Sequence, residues 1–404
     1  MGALMPDKTS AIVVGGGPAG LTAAVALALA GVPTVLAGRK PAKPDSRTTA
    51  LLASSVTALE TLGVWPLCRD RAAPLRAVRI VDDTGRLWRA PEVCFAADEI
   101  GLEAFGYNIE NRDLIAALEA RARDLPGLTL IDDQILGVAA TQDAVTVELK
   151  HGPALTAPLV IGADGRRSLC REAALIDTSE RRTPQTALAL CFSHTRPHRD
   201  VSTEFHTVTG QFTLVPLPGN RSSLVWVLDP KEAEEKAALD DAALSEEIER
   251  RAHSILGRVT VEPGRSLFPL GVVTAHRLAR DRIVLAGEAA HVIPPVGAQG
   301  LNLGLRDAAT IAELAADASR TGRDPGGADV LARYERMRRA DVEGRTLAVD
   351  LLNRSLLTDF LPVQSARGLG LYVLQKVGPL RRAVMREGVA PAAALPRLMR
   401  GMAI

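Results

Sequence analysis

Residues 11–20 read AIVVGGGPAG, and the rest of the chain is organised around them. Ala11 to Val14 form a short apolar run of the kind that makes a buried parallel strand. Gly15, Gly17 and Gly20 follow as G-x-G-x-x-G, and the helical pattern LTAAVALALAG starts at once. In a strand–turn–helix unit each glycine has a distinct job. Gly15 permits the tight turn, Gly17 lets backbone approach a pyrophosphate, and Gly20 lets helix and strand pack closely. Pro18 and Ala19 open the helix. Proline is tolerated there because its missing N–H would be unpaired in any case. The helix N-terminus suits an anion. This stretch therefore predicts dinucleotide binding.

No charged residue occurs from Ala11 to Gly38, so a membrane span or a secretory signal has to be considered. Either reading makes the three glycines and Pro18 accidental, and the dinucleotide reading is preferred. A chain of 404 residues has room for two or three structural units, and its net charge of +1 gives no global field for nucleic acid. Cys68, Cys94, Cys170 and Cys191 show no C-x-x-C spacing and read as incidental thiols of a reducing compartment, not as a metal site.

The second strand, PTVLA at 33–37, should end on an acid that holds a ribose. Ala37-Gly38-Arg39 stands there instead, and Arg39 suits either a ribose 2′-phosphate, as in NADP, or an adenine face. A polar loop at 40–48 leads through Arg47 into a helical pattern at 49–63. Segments 76–81 and 85–90 read as a hairpin about Asp83-Thr84-Gly85. Asn111 or Asp113 should cap the helix that carries Arg112. Strands are expected at 128–131, 135–140 and 144–149. APLVIGADGRRS at 157–168 reads as strand, turn and helix, with Asp164-Gly165 at the C-terminal edge of the sheet, where open parallel sheets bind ligands.

From 185 to 229 the pattern changes to alternating strands, which predicts an antiparallel sheet and a second unit. Charged helices follow at 230–256. The buried strand RIVLA at 282–286 runs into GEAAHVIPPVGAQGLNLGLRD, whose stretch 294–300 must be a loop before a long helix from Leu301. Another helix is expected at 328–357. The stretch 363–404 carries seven basic residues and one acid among leucines and valines. It reads either as a solvated helical tail or as a membrane-surface or partner contact.

GGGPAG, GADG and GEAAHVIPPVGAQGLNLGLRD, in this order, resemble the motifs of the FAD-dependent aromatic hydroxylases, the single-component flavoprotein monooxygenases. The third motif is most similar to the ubiquinone-biosynthesis polyprenyl-phenol hydroxylases. The resemblance implies an α/β fold in which a Rossmann-like FAD-binding domain with a parallel sheet (1–72, 98–180 and 266–360) is interrupted by a mostly antiparallel β-sheet substrate domain (73–97 and 181–265). A basic helical tail (361–404) ends the chain. It implies FAD as cofactor, NADH or NADPH and oxygen as co-substrates, and a flavin hydroperoxide that hydroxylates an apolar aromatic quinone precursor.

The implied roles fall on matched positions. Gly15, Gly17, Pro18, Ala19 and Gly20 would take the pyrophosphate, with Arg39 beyond the second strand. Arg47 and Arg112 would line the flavin side. Asp164 and Gly165 would serve the cofactor region and NAD(P)H use. Glu288 would hold the ribityl chain in place of the family's Asp, and Pro294 stands where close relatives often have His. Pro295, Gly300, Leu301 and Asn302 would run along the isoalloxazine. The flavin carries the chemistry, so no catalytic side chain is expected, and His206, His276 and His291 should be structural or at the surface. The expected setting is cytoplasmic and peripheral on the inner face of a membrane, with other ubiquinone-biosynthesis proteins as partners and no nucleic acid. Three other readings stay open: a hydroxylase of a small soluble aromatic, a non-catalytic flavin-binding subunit, and an NADP-linked reductase.

Overall fold

The computed structural model describes residues 9–39, 45, 47–85, 91–295, 297–357, 370, 372–373, 376–389 and 395–404. Its first layer is a six-stranded sheet in the order Ala279–Arg280, Ile283–Leu285, Leu159–Gly162, Ala11–Val14, Thr34–Ala37, Leu128–Ile131. Every pairing is parallel except the short hairpin at Ala279–Arg280. Ala11–Val14 lies at the centre and is wholly buried, which explains its unbroken apolar run. Helices Pro18–Leu29, Asn111–Arg123 and Gln299–Arg320 share its core.

The second layer is a nine-stranded sheet, mostly antiparallel. Its centre is made by Thr178–His194, Arg221–Leu228, Gln211–Leu217 and Val201–His206, close to the expected strands. Strand Ser266–Ala275 pairs with Thr178–His194, so this sheet runs past residue 265. One face packs Phe192, Phe205, Phe212 and Trp226 with residues of helices Pro230–Ala238 and Asp241–Arg251. The other face meets a three-stranded sheet, Thr48–Leu52, Gly106–Glu110 and Ala72–Pro74, through Thr48 Oγ1, which donates to Ser223 Oγ at 2.8 Å.

Four local expectations are corrected. Residues 49–52 are strand, and the helix starts only at Ala53 and ends at Thr61. Pairing with Gly106–Glu110 overrides the helical pattern there. The partner of Ala77–Asp82 is Val93–Ala96, while the expected strand at 85–90 falls mostly on 86–90, outside the described residues. Neither Asn111 nor Asp113 caps the next helix. Its N-cap is Glu110, and Asn111 Nδ2 donates to Asp45 at 2.8 Å. The end of the chain is not a solvated tail. Leu398 and Met399 are buried, and the Arg397 backbone N–H donates to Glu313 at 2.7 Å while its guanidinium pairs with Asp317. Helix Gly378–Val389 likewise buries Met385 and Val389 beside Ala97 and Phe105.

Candidate active site

The three motifs meet at the C-terminal edge of the parallel sheet. Gly15 has φ +117°, and a Cβ there would lie 2.2 Å from the carbonyl oxygen of Ala163, the residue before Asp164. A Cβ on Gly20 would lie 2.0 Å from the Gly15 carbonyl. These two glycines are demanded by the chain's own packing. Gly17 differs: nothing lies within 4 Å of where its Cβ would be. Its space opens outward at the start of helix Pro18–Leu29, whose first turn carries no acid. A backbone cradle beside free first-turn N–H groups fits a pyrophosphate. Arg39 is exposed just beyond strand Thr34–Ala37.

The third motif closes on the first. Gly287 has φ +62°, and a Cβ there would sit 3.2 Å from Ala19 Cβ and 3.9 Å from Gly304 Cα. The Gly287–Ala289 turn is thus wedged between two helices. It presents Glu288, half exposed, whose carboxylate lies 3.5 Å from Arg166 of the GADG loop. Asn302 anchors the start of helix Gln299–Arg320. Its side-chain oxygen accepts from Leu52 N–H at 2.9 Å, and its amide donates to Ala50 O at 2.8 Å. The N–H groups of Gly300 and Leu301 lie in the first turn of that helix, where backbone donors have no intrahelical acceptor, and Asn302 follows directly. Pro295 lies in the loop before this helix.

Other expected residues are already engaged. Asp164 accepts from Ser168 Oγ at 2.6 Å and from Cys170 N–H at 3.2 Å, which ties the loop to the short helix Leu169–Ala173. Burial pushes its carboxyl above the usual range in spite of these bonds. Gly165 follows in the left-handed region at φ +81°. Arg47 pairs with Asp45 at 2.7 Å, and its guanidinium stands 5.1 Å from the centre of the Phe268 ring. Arg112 is drawn off to Glu110 at 2.7 Å, and Arg221 bridges Glu110 at 3.1 Å and Glu262 at 2.6 Å.

Sequence reasoning assigned no part to Asp307, although the quoted motif ends on it. Its buried carboxylate accepts from Gly287 N–H at 3.0 Å, His291 Nε2 at 2.7 Å and Arg338 Nε at 2.7 Å. Arg338 also reaches Asp341 at 2.6 Å, which pairs with Arg306 at 2.5 Å and Arg345 at 2.8 Å. Burial opposes ionisation of Asp307, but Arg338 and His291 outweigh it and hold the carboxyl below its ordinary value. Asp341 is lowered too, because Arg338 and Arg306 outweigh its burial. Depressed native carboxyls stabilise the fold above their unfolded value, near pH 4, and that stability is lost as pH falls through the native value. Helix Gln299–Arg320 is therefore expected to loosen below about pH 4. Amide exchange followed against pH checks this.

Among the histidines, His206 pairs with Glu204 at 2.7 Å and His276 with Ser179 at 2.8 Å. A separate cavity of about 280 Å³, lined in part by Arg79, Arg196, Arg199 and Ile255, lies on the helix-covered face of the large sheet, away from the motifs. Among the described residues no helix is long and apolar enough to cross a membrane.

Residues 8–346 match the family model described as FAD binding domain. The chain belongs to this family of FAD-dependent monooxygenases. Within the family it is similar to the ubiquinone hydroxylases. It is 37% identical to Ubiquinone hydroxylase UbiL of Rhodospirillum rubrum, over 98% of this chain and 94% of that protein. It is 31% identical to 3-demethoxyubiquinol 3-hydroxylase of Escherichia coli, over 94% and 98%. In fold it is similar to p-nitrophenol 4-monooxygenase PnpA of Pseudomonas putida, with a TM-score of 0.77 and 21% identity over 94% of this chain and 97% of that one. Klebsiella pneumoniae HpxO complexed with FAD and uric acid gives a TM-score of 0.74 at 20% identity, over 95% and 97%.

Proposed function

We propose that this monooxygenase hydroxylates the aromatic ring of a polyprenyl phenol on the path to ubiquinone, using FAD, NADH or NADPH, and oxygen. The observation that carries the reading is the convergence of Gly17, the Glu288 turn and the Asn302 helix start at one sheet edge, facing the second sheet. The similar hydroxylases supply the substrate class. We assign Gly17 with the first turn of Pro18–Leu29 to the pyrophosphate, Glu288 to the ribityl hydroxyls, and the Gly300 and Leu301 N–H groups to the flavin's carbonyl edge. Arg39 is assigned to the adenosine end and Arg47 to the flavin side. Bound FAD supplies the passage of reducing equivalents to oxygen and the delivery of one oxygen atom to an electron-rich ring. The chain's part is to position that ring, keep water out and offer N–H dipoles where negative charge develops.

Glu288 gives a test that separates binding from folding. Its pair with Arg166 is half exposed on both sides, and such pairs add little stability. Glu288→Ala should leave the melting point nearly unchanged but remove a charge-assisted hydrogen bond of roughly 1.5–3 kcal/mol, about one to two decades in FAD affinity. Glu288→Asp should be milder. Unchanged FAD affinity in the alanine variant, measured by equilibrium dialysis, would remove Glu288 from the site.

A polyprenyl phenol stays in the bilayer, so the enzyme has to reach it. Val377, Leu380 and Val384 are exposed at helical spacing on and beside helix Gly378–Val389, with Arg382 and Arg386 on the same helix. We assign this stripe to an anionic membrane surface. Leu380→Ser with Val384→Ser should lower vesicle binding roughly tenfold. Binding equal to that of the unaltered protein would discard the surface. For the activity itself, a cell lacking the gene should accumulate an under-hydroxylated quinone precursor. Normal ubiquinone in that cell would contradict the substrate class.

A further inference from the structure

The helix-covered face of the nine-stranded sheet, turned away from the three motifs, carries a cavity of about 280 Å³. Strand pairing places Arg79 beside Thr203 and Thr203 beside Leu214, so these side chains share one row. Leu214 packs with the aromatic cluster under the helices, and the whole row points there. Val201, two residues before Thr203, lies on the same face. Ile255 and Leu256, just past helix Asp241–Arg251, close one side. Residues 196–199 complete the lining, with Arg196 and Arg199 exposed at its rim. The loop that carries them is firmly held. Arg199 and Asp200 have φ of +54° and +59°, a costly conformation for residues with side chains. His198 Nδ1 accepts from Asp200 N–H at 3.0 Å, and its Nε2 donates to Leu217 O and Gly219 O at 3.0 Å each. The Asp200 carboxylate pairs with Arg76 at 3.3 Å.

Three guanidinium groups thus meet at a cavity that no acid lines among the described residues. Glu92 lies 3.4 Å from Arg79 and balances its charge, yet the buried Arg79 Nε donates no hydrogen bond. Arg196 donates to Ser254 O at 3.2 Å, but neither it nor Arg199 pairs with a carboxylate among the described residues. A buried donor without an acceptor calls for one, and the guanidinium fork matches phosphate. We propose that this cavity binds a small phosphomonoester with an apolar body. The phosphate lies between Arg79, Arg196 and Arg199, and the body rests on Val201, Leu214, Ile255 and Leu256. A phosphomonoester carries roughly 1.5–2 negative charges at pH 7, which matches the unbalanced Arg196 and Arg199 better than a single carboxylate does. The volume is below the roughly 300–1,000 Å³ of drug-sized ligand pockets and leaves no room for a nicotinamide dinucleotide. The sheet separates this site from the motifs, so its ligand is an effector and neither substrate nor cofactor. The proposal does not depend on the ring hydroxylation.

Isothermal titration calorimetry of the FAD-loaded protein with phenyl phosphate tests this. One molecule should bind per chain and leave the flavin absorbance unchanged. Inorganic phosphate, which lacks the apolar body, should bind roughly tenfold more weakly. Arg79→Met should weaken phenyl phosphate roughly tenfold or more, while FAD affinity stays within twofold. Arg199→Gly should also weaken it roughly tenfold. Glycine accepts the positive φ at that exposed position, so this variant keeps the test open should Arg79→Met disturb folding. Absence of binding at millimolar phenyl phosphate would overturn the site. So would affinity unchanged in the folded variants, binding that shifts the flavin bands, or inorganic phosphate bound as tightly as the ester, which would mark an adventitious ion only.

Discussion

Gly17→Val should yield a folded but colourless protein. The position is informative because its neighbours behave oppositely. A side chain at Gly15 or Gly20 strikes main-chain oxygen at 2.2 or 2.0 Å, so those substitutions act on folding. At Gly17 the protein offers no obstacle within 4 Å, and φ is −77°, which any residue adopts. Whatever Gly17→Val does to FAD therefore comes from the space it fills and not from a disturbed fold. Pushing a pyrophosphate off two first-turn N–H groups forfeits two charge-assisted bonds of roughly 1.5–3 kcal/mol each. That amounts to about two to four decades of affinity. Flavin absorbance of the purified variant, with and without added FAD, checks this against the melting curve of the apoprotein. A fully yellow variant would refute the placement of the pyrophosphate.

Asp307→Asn should cost about 3–5 kcal/mol of stability, the range for breaking a buried charge pair, because buried Arg338 then keeps only Asp341, already shared with Arg306 and Arg345, to balance its charge. Against a typical total of about 5–15 kcal/mol this is a large share. The loss should be concentrated where Asp307 acts, at the joint of the Glu288 turn, His291 and helix Ala328–Leu357. Adding Arg338→Met removes the poorly balanced charge and should recover part of the stability. Denaturant unfolding of the single and double variants measures both effects. Equal stability of Asp307→Asn and the unaltered protein would show that the network does not hold the fold.

The parallel sheet and the turn glycines were legible because their causes are local: an apolar run of strand length, and glycines at a fixed spacing before a helix. The alternating strands after 185 were legible for the same reason. What escaped the sequence depends on distant partners. Thr48–Leu52 carries a helix-like pattern, and only pairing with Gly106–Glu110 makes it a strand. Asn111 has the chemistry of a cap, but Asp45, far away in sequence, takes its amide. The basic tail reads equally as solvated or as a contact surface because nothing local announces that Glu313 and Asp317 wait for Arg397. Asp307 lay inside the recognised motif, yet its role needs Arg338 from another helix. Arg47, Arg112 and Asp164 show the converse. Their positions match the resemblance, but each has a protein partner that the local sequence does not announce.

Ring hydroxylation places one oxygen atom on the phenol. The most direct measurement supplies the FAD-loaded protein with NADH or NADPH, isotope-labelled dioxygen and a polyprenyl phenol, and weighs the product. One labelled oxygen is expected in a new ring hydroxyl, formed in step with substrate-stimulated NAD(P)H oxidation. A protein whose bound flavin is reducible, but which leaves every phenol offered unlabelled, would contradict it.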